Sequence, residues 1–204
     1  CFDVKGKTKM RSVICAIGSL LAAASFAAGE LPEKWNITHP EIITEIHKSY
    51  FDAGSNIVNT NTFGANSLFY DDEALENIIC AAFDNVKKAA ELSCGKQEKY
   101  VALDIGPLGK LLKPFGELDF EDAVSVFAKT VKLGVKYGAA LIFIETMNDA
   151  YETKAALLAA KENCDLPVFV SNAYGDGNRL LTGADAECMV ALLEGMGADA
   201  VGAN

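Results

Sequence analysis

A carboxylate at the end of an apolar segment is the residue of this sequence best placed to do chemistry. Glu145 follows directly after the apolar residues 141–144, whose composition predicts a buried strand. A charge at the rim of an apolar core is costly unless it is paired. Glu145 therefore either binds the ammonium group of a ligand or is a structural partner for a lysine or a helix N-terminus, and its position alone favours neither.

Further polar and small residues follow other predicted strands. In a parallel barrel the active site gathers at the C-terminal ends of the strands, so this rule selects a set of candidates before any family is considered. A polar strand end binds a ligand or caps the next helix, and the sequence leaves both possibilities open. Besides Glu145, the selected residues are Asn59, Thr60, Asn61, Thr62, Phe63, Asp104, Gly106, Pro107, Thr146, Ser171, Asn172, Ala203 and Asn204.

Short apolar runs alternate with amphipathic stretches along the chain, which predicts repeated strand–helix units. The predicted strands are 13–17, 56–61, 100–105, 140–145, 167–172 and 199–203, and the predicted helices are 39–53, 72–93, 119–138, 149–163 and 185–196. We expect Thr38 to be the N-cap of the first helix and Gly54 to end it. The pattern predicts an α/β fold, a partial TIM (β/α)8 barrel of about six units with its C-terminal units missing. The alternative is an open doubly wound sheet, although no GxGxxG motif follows a strand.

The composition restricts the classes of function. The 204 residues carry a formal net charge of −10, whereas nucleic-acid-binding proteins usually present a basic face. The six cysteines include no CxxC pair, so local zinc knuckles and a disulfide framework are disfavoured. We expect reduced, mostly buried thiols. Of the two histidines, His39 is expected near a helix N-terminus and His47 on the helix surface.

The N-terminal segment allows two interpretations. Lysines and an arginine precede the apolar residues 13–28, a pattern typical of a secretory signal. However, nine residues precede Met10, and the segment continues smoothly into the stretch discussed next. We therefore expect a cytoplasmic protein, with no membrane span, in which residues 1–12 are a separate N-terminal segment and residues 13–204 form the barrel domain.

One long stretch and four short motifs resemble a known family. Residues 29–65, GELPEKWNITHPEIITEIHKSYFDAGSNIVNTNTFGA, are similar to the homocysteine-binding domain of cobalamin-dependent methionine synthase and of the homocysteine S-methyltransferases. The motifs DIGP (104–107), IET (144–146), LTG (181–183) and GAN (202–204) follow in the family's order. Together they extend the resemblance over about residues 18–204.

The resemblance implies a zinc-dependent transfer of a methyl group to the homocysteine thiol, which makes methionine. In this family zinc holds the sulfur as the thiolate that attacks the methyl group. The resemblance further implies methylcobalamin as the methyl donor, and partner domains, on the same or another chain, that bind cobalamin and folate. By matching motif positions, it assigns the homocysteine amine to Glu145, and further substrate contacts to Asn61, Thr62, Gly18 and Ser19. No membrane or nucleic-acid partner is expected.

Two departures from the family pattern limit these expectations. Ile14 stands where the family has a substrate-binding Asp on its first strand. The family's first zinc cysteine follows directly after the GAN motif, but the sequence ends at Asn204, and none of its six cysteines matches a ligand position. We therefore expect a fragment that is inactive alone. The alternative is a non-catalytic, possibly exported, binding or structural barrel remnant.

The cysteine pattern generates a prediction about metal content. We expect the 204-residue chain to hold no stoichiometric zinc at the homocysteine site, because four-coordinate zinc needs ligands that the motif positions lack. Metal analysis after dialysis against a weak chelator measures this. One tightly held zinc per chain would contradict the prediction.

Overall fold

The sheet consists of parallel strands in sequential order. The computed structural model describes residues 31–204 and the backbone of residues 3–4 and 14–15. Its strands are β1 (Asp3–Val4), β2 (Ile14–Cys15), β3 (Ile57–Asn59), β4 (Tyr100–Ile105), β5 (Leu141–Met147), β6 (Val168–Asn172) and β7 (Ala200–Ala203). Strands β2 to β7 pair in parallel, each with the next, and β1 pairs with β7 antiparallel. Such sequential parallel pairing is the pattern of a barrel wall.

Helices connect the successive parallel strands. They are α1 (Trp35–Thr38), α2 (Pro40–Asp52), α3 (Asp72–Leu92), α4 (Phe120–Tyr137), α5 (Ala150–Asn163) and α6 (Ala186–Gly195). Aspartate side chains begin three of them: Asp71 accepts from the N–H of Ala74, Asp149 from Tyr151 and Asp185 from Cys188. Each bond satisfies a backbone donor that a helix start leaves unpaired. Helix α4 ends at Gly138, whose φ of 93° suits glycine.

The two faces of the sheet differ in what covers them. Leu103, Ile142 and Val170 point outward into a large apolar cluster that includes helical residues such as Phe83 and Leu157. The alternate positions on the strands form a smaller inner cluster made of strand residues alone: Ile57, Ala102, Leu141, Phe143, Phe169 and Ala200. Helices therefore cover one face of the described sheet, which is the arrangement of a partial TIM barrel. A doubly wound sheet would carry helices on both faces.

The element predictions are largely confirmed. Strand β4 matches its predicted span, and the other strands and the helices lie within a few residues of theirs. The predicted Thr38 cap is wrong. His39 occupies the N-cap position of α2 without a side-chain cap bond, while the Thr38 hydroxyl donates to the Lys34 carbonyl at 3.2 Å. The reason is that α1 already occupies residues 35–38, so Thr38 ends one helix rather than starting the next.

Two predictions about burial are also wrong. His47 is 0% exposed, because it lies on the face of α2 that packs inward together with Ile43 and Phe51. The described cysteines are not buried: Cys94 and Cys188 are exposed, and Cys80 and Cys164 are half-buried. All four lie in helices or at helix ends, where the neighbouring strands do not enclose them.

Within the described part of the chain, no helix combines the length and the apolar character that crossing a bilayer requires.

The buried His47 predicts acid sensitivity. Burial lowers its pKa from 6.5 to about 3, so the unfolded chain binds a proton between these values and the folded chain does not. This contribution to stability is present above pH 6.5 and is lost as the pH falls. Between pH 7 and pH 4 the loss is about 3 kcal/mol, at about 1.4 kcal/mol per unit.

We expect His47→Leu to reduce the difference in unfolding free energy between pH 7 and pH 4 by about this amount. Urea titrations at both pH values measure it. His39→Gln, which changes the other, partly exposed histidine, is the matched control. An unchanged difference in His47→Leu would show that His47 does not carry the acid sensitivity.

Candidate functional site

Two carboxyl groups meet on the inner face of the sheet. Asp104 shares this face with Ala102 on β4, because side chains alternate along a strand. Glu145, near the end of β5, hydrogen-bonds to Asp104. Asp104 is 4% exposed and Glu145 is 9% exposed. The structure thus gives Glu145 a partner that neither interpretation of the sequence considered, a second acid.

Burial and mutual repulsion both disfavour ionisation of the two carboxyl groups. Burial, followed by the charge of Glu145, raises the pKa of Asp104 well above its ordinary value. Burial also raises the pKa of Glu145. Among residues 31–204, no basic side chain lies within ion-pair distance of either group. The predicted lysine partner of Glu145 is therefore not found in this part of the chain, and its role toward a ligand amine stays a prediction.

A strained residue follows Glu145. Thr146 has a φ of 61°, a left-handed conformation that is unfavourable for a β-branched side chain. The pairing of β5 with β6 shifts register between Ile144 and Met147, and the Thr146 N–H donates to the Ser171 hydroxyl at 3.2 Å. The Thr146 hydroxyl accepts from the Asn204 amide at 2.7 Å. Three predicted strand ends therefore meet at this bulge, directly after Glu145.

Two threonine hydroxyls hold the backbone beneath Asp104. The N–H of Asp104 donates to the Thr60 hydroxyl at 3.1 Å, and the Thr62 hydroxyl donates to the Asp104 carbonyl at 2.7 Å. The two hydroxyls lie 2.7 Å apart. Thr62 is fully buried, so its side chain is engaged in positioning Asp104. Its predicted contact with substrate stays a prediction.

The Asn61 side chain is directed toward the segment before α2. Its amide donates to the Pro32 carbonyl at 2.8 Å and to Asn36 Oδ1 at 3.3 Å. The Asn36 amide donates in return to the Asn61 carbonyl at 2.7 Å. This exchange fixes residues 32–38 over the end of β3. The other two predicted substrate contacts, Gly18 and Ser19, lie outside the described residues.

Three further polar residues are buried, and the strand-end rule selected only one of them. Glu152 accepts from the N–H of Leu108 at 2.7 Å, and burial raises its pKa to about 7. Glu33 is buried, and burial likewise raises its pKa. Nothing in the sequence predicts the burial of either glutamate, since a Glu in a helical turn is normally solvated. Asn59, which the strand-end rule selected, shares the inner face with Ile57, and neither of its side-chain amide atoms has a partner among the described residues.

The described residues contain no cluster of three His, Cys, Asp or Glu side chains that could hold a metal ion. Asp104 and Glu145 contribute two carboxyls that share a hydrogen bond, which does not fit the thiolate set that the family resemblance implies.

Comparisons with known proteins agree on one family. Residues 15–204 match the family model described as homocysteine S-methyltransferase. Methionine synthase from Mycobacterium leprae is 28% identical over 83% of this chain, which corresponds to 15% of that protein. Methionine synthase from Mycobacterium tuberculosis is 27% identical over 93% of this chain and 17% of its own length. The chain thus spans about a sixth of the length of these two relatives.

A solved structure has the same fold. The homocysteine methyltransferase MmuM from Escherichia coli, in its metallated form, superposes with a TM-score of 0.77 over 93% of this chain and 72% of its own. The sequence identity is 21%, so this likeness concerns the fold alone. It supports the partial barrel described above.

The strain at Thr146 predicts an unusual order of stabilities. Thr146→Gly should change the unfolding free energy by less than about 1 kcal/mol, because relief of the left-handed strain offsets the lost hydroxyl bond and the added chain entropy. Thr146→Val retains the strain and loses the bond to Asn204, so it should be about 1 kcal/mol less stable than the unaltered chain. Urea denaturation ranks the three proteins. A glycine variant less stable than the valine variant would show that Thr146 is not strained.

Proposed function

Because the chain belongs to the homocysteine S-methyltransferase family, we propose that it forms the homocysteine-binding part of a methyl transfer that makes methionine. The observation that carries the proposal is the Glu145 carboxylate, buried at the inner end of β5 and without a basic partner among the described residues. A buried carboxylate without a paired cation is energetically unfavourable, and binding of a cation offsets this cost. The ammonium group of homocysteine supplies that cation.

The reaction in this proposal joins the homocysteine sulfur to a methyl group. The sulfur–methyl bond forms as the bond between the methyl group and its donor breaks, and the thiol proton is lost because the thiolate is the nucleophile. The contribution of the described residues is to bind and orient the amino-acid end. In the proposal Asn61, Thr62, Gly18 and Ser19 complete the substrate site, the last two from outside the described residues.

Zinc and methylcobalamin belong to the proposal for the complete family domain. When bound, zinc would supply a stabilised thiolate, as the family resemblance implies. The described residues do not fit that ion, because they supply carboxyl groups and not the thiolate set. Methylcobalamin is the proposed methyl donor, delivered by cobalamin- and folate-binding domains of the same or another chain.

The proposed location and partners follow from sequence properties. The scattered cysteines favour a reducing compartment, so we propose that the protein acts in the cytoplasm. The net charge of −10 disfavours nucleic acid as a partner. Within the chain we propose residues 1–12 as a separate segment and 13–204 as the domain that binds homocysteine.

Glu145→Gln tests the proposed function. We expect the substitution to weaken homocysteine binding roughly 10- to 100-fold, because it removes the charge that pairs with the ammonium, a loss of about 1.4–2.7 kcal/mol. Glutamine has nearly the same shape, so the melting temperature should change little. Calorimetric titration with L-homocysteine and thermal melts without ligand measure the two effects separately.

Glu117→Gln is the matched control, since Glu117 is an exposed glutamate between β4 and α4. It should leave both affinity and melting temperature unchanged. A strongly lowered melting temperature of Glu145→Gln with intact affinity would identify Glu145 as a structural residue and contradict the proposal.

A further inference from the structure

Asp104 is a buried acid whose chemistry the proposed function does not use. It pairs in register with Phe143, two residues before Glu145 on the neighbouring strand. The two carboxyls hydrogen-bond across the inner face. Asp104 Oδ1 has no hydrogen-bond partner among the described residues. The acid therefore lies deeper in the barrel than Glu145 and directly beside it.

Two ionised carboxylates in contact, buried and without a cation, repel each other strongly. Such a pair keeps one proton between its members. The deeper group loses more hydration when it ionises, so the proton stays on Asp104 and the charge on Glu145. A neutral carboxylic acid is a hydrogen-bond donor, whereas an ionised carboxylate only accepts.

We propose that Asp104 is a positioning residue that remains protonated and donates its hydrogen bond to Glu145, which leaves a Glu145 oxygen directed at the ammonium group of an α-amino-acid substrate. This inference rests on the proposed function for the identity of the substrate. It adds a source of specificity, because the hydrogen bond from Asp104 fixes the rotamer of Glu145 before the amine binds. Preorganisation of this kind reduces the ordering that binding requires.

The surroundings of Asp104 support this role. The Thr60 hydroxyl accepts from the Asp104 N–H, and the Thr62 hydroxyl donates to the Asp104 carbonyl. Both backbone polar groups of Asp104 are therefore held by the segment that follows β3. Glu145 is the titratable group that faces Asp104 from β5. From β3, on the other side, Asn59 and Thr60 are uncharged. The raised pKa of Asp104, caused by burial and then by Glu145, agrees with a retained proton.

Carboxyl-detected 13C NMR on the 204-residue chain without ligand gives the first test. The Asp104 signal, assigned by its disappearance in Asp104→Asn, should remain that of a protonated acid at pH 7. Asn retains a donor and Leu does not. We therefore expect the pKa of Glu145 to be close to the wild-type value in Asp104→Asn and clearly higher in Asp104→Leu. An ionised Asp104 at pH 7, or equal Glu145 pKa values in both variants, would overturn the inference.

Titration with L-homocysteine gives the second test. Asp104→Asn should bind within about threefold of the wild-type chain, and Asp104→Leu at least tenfold more weakly. 4-Mercaptobutyrate, which lacks the amine, should not distinguish the two variants. The controls are Asp122→Asn and Asp122→Leu on the exposed face of α4. Equal binding of homocysteine by Asp104→Leu and the wild type would overturn the positioning role.

The two tests separate this inference from the proposed function. If the wild-type chain does not bind homocysteine, the proposed function fails for this chain, and the NMR result alone decides whether Asp104 holds its proton and orients Glu145. If Asp104→Leu does not fold, the ionisation state of Asp104 in the wild type still decides, because an ionised acid cannot donate.

Discussion

The burial of two neighbouring carboxyl groups with no basic partner among residues 31–204 is the constraint on which the site depends. Removing an ionised carboxylate from water costs several kcal/mol even after the protein relaxes. One retained proton removes one of the two charges of Asp104 and Glu145, and the shared hydrogen bond stabilises the other. The surrounding backbone is organised to hold this arrangement, through the Thr60 and Thr62 hydroxyls beneath Asp104 and the bulge after Glu145.

Packing against the outer layer of helices stabilises the strands that carry Asp104 and Glu145. Leu103 and Ile144, the residues that precede Asp104 and Glu145, are completely buried against the helices. Burial of a large apolar side chain stabilises a fold by roughly 1.5–3 kcal/mol, and many such side chains anchor each strand. A left-handed residue such as Thr146 costs on the order of 1–3 kcal/mol and persists only where its surroundings fix it. The anchored strands provide those surroundings.

The polar residues after β3 divide into two groups with different tasks. Thr60 and Thr62 bond inward to β4, whereas Asn61 bonds to the segment at residues 32–38. A run of three polar residues thus ties the strand end both to its neighbour in the sheet and to the chain that precedes α2. The sequence marks all three as strand-end residues, and side-chain alternation along a strand separates Asn61 from Thr60 and Thr62, but the sequence does not identify the partners of any of them. Apart from the contact between the two threonine hydroxyls, their side-chain hydrogen-bond partners lie 25 or more residues away.

The sequence by itself determined the alternation of strands and helices, the positions of most element ends, and the place of Glu145 at the end of a buried strand. Local patterns carry this information: apolar runs, helical periodicity and glycine stops. The tertiary structure decided the rest. Only packing buried His47, because helical periodicity does not show which edge of an apolar face the neighbours will cover. Only the register of β4 against β5 brought Asp104 to Glu145, since pairing between residues 41 positions apart depends on how the strands associate and not on either segment alone.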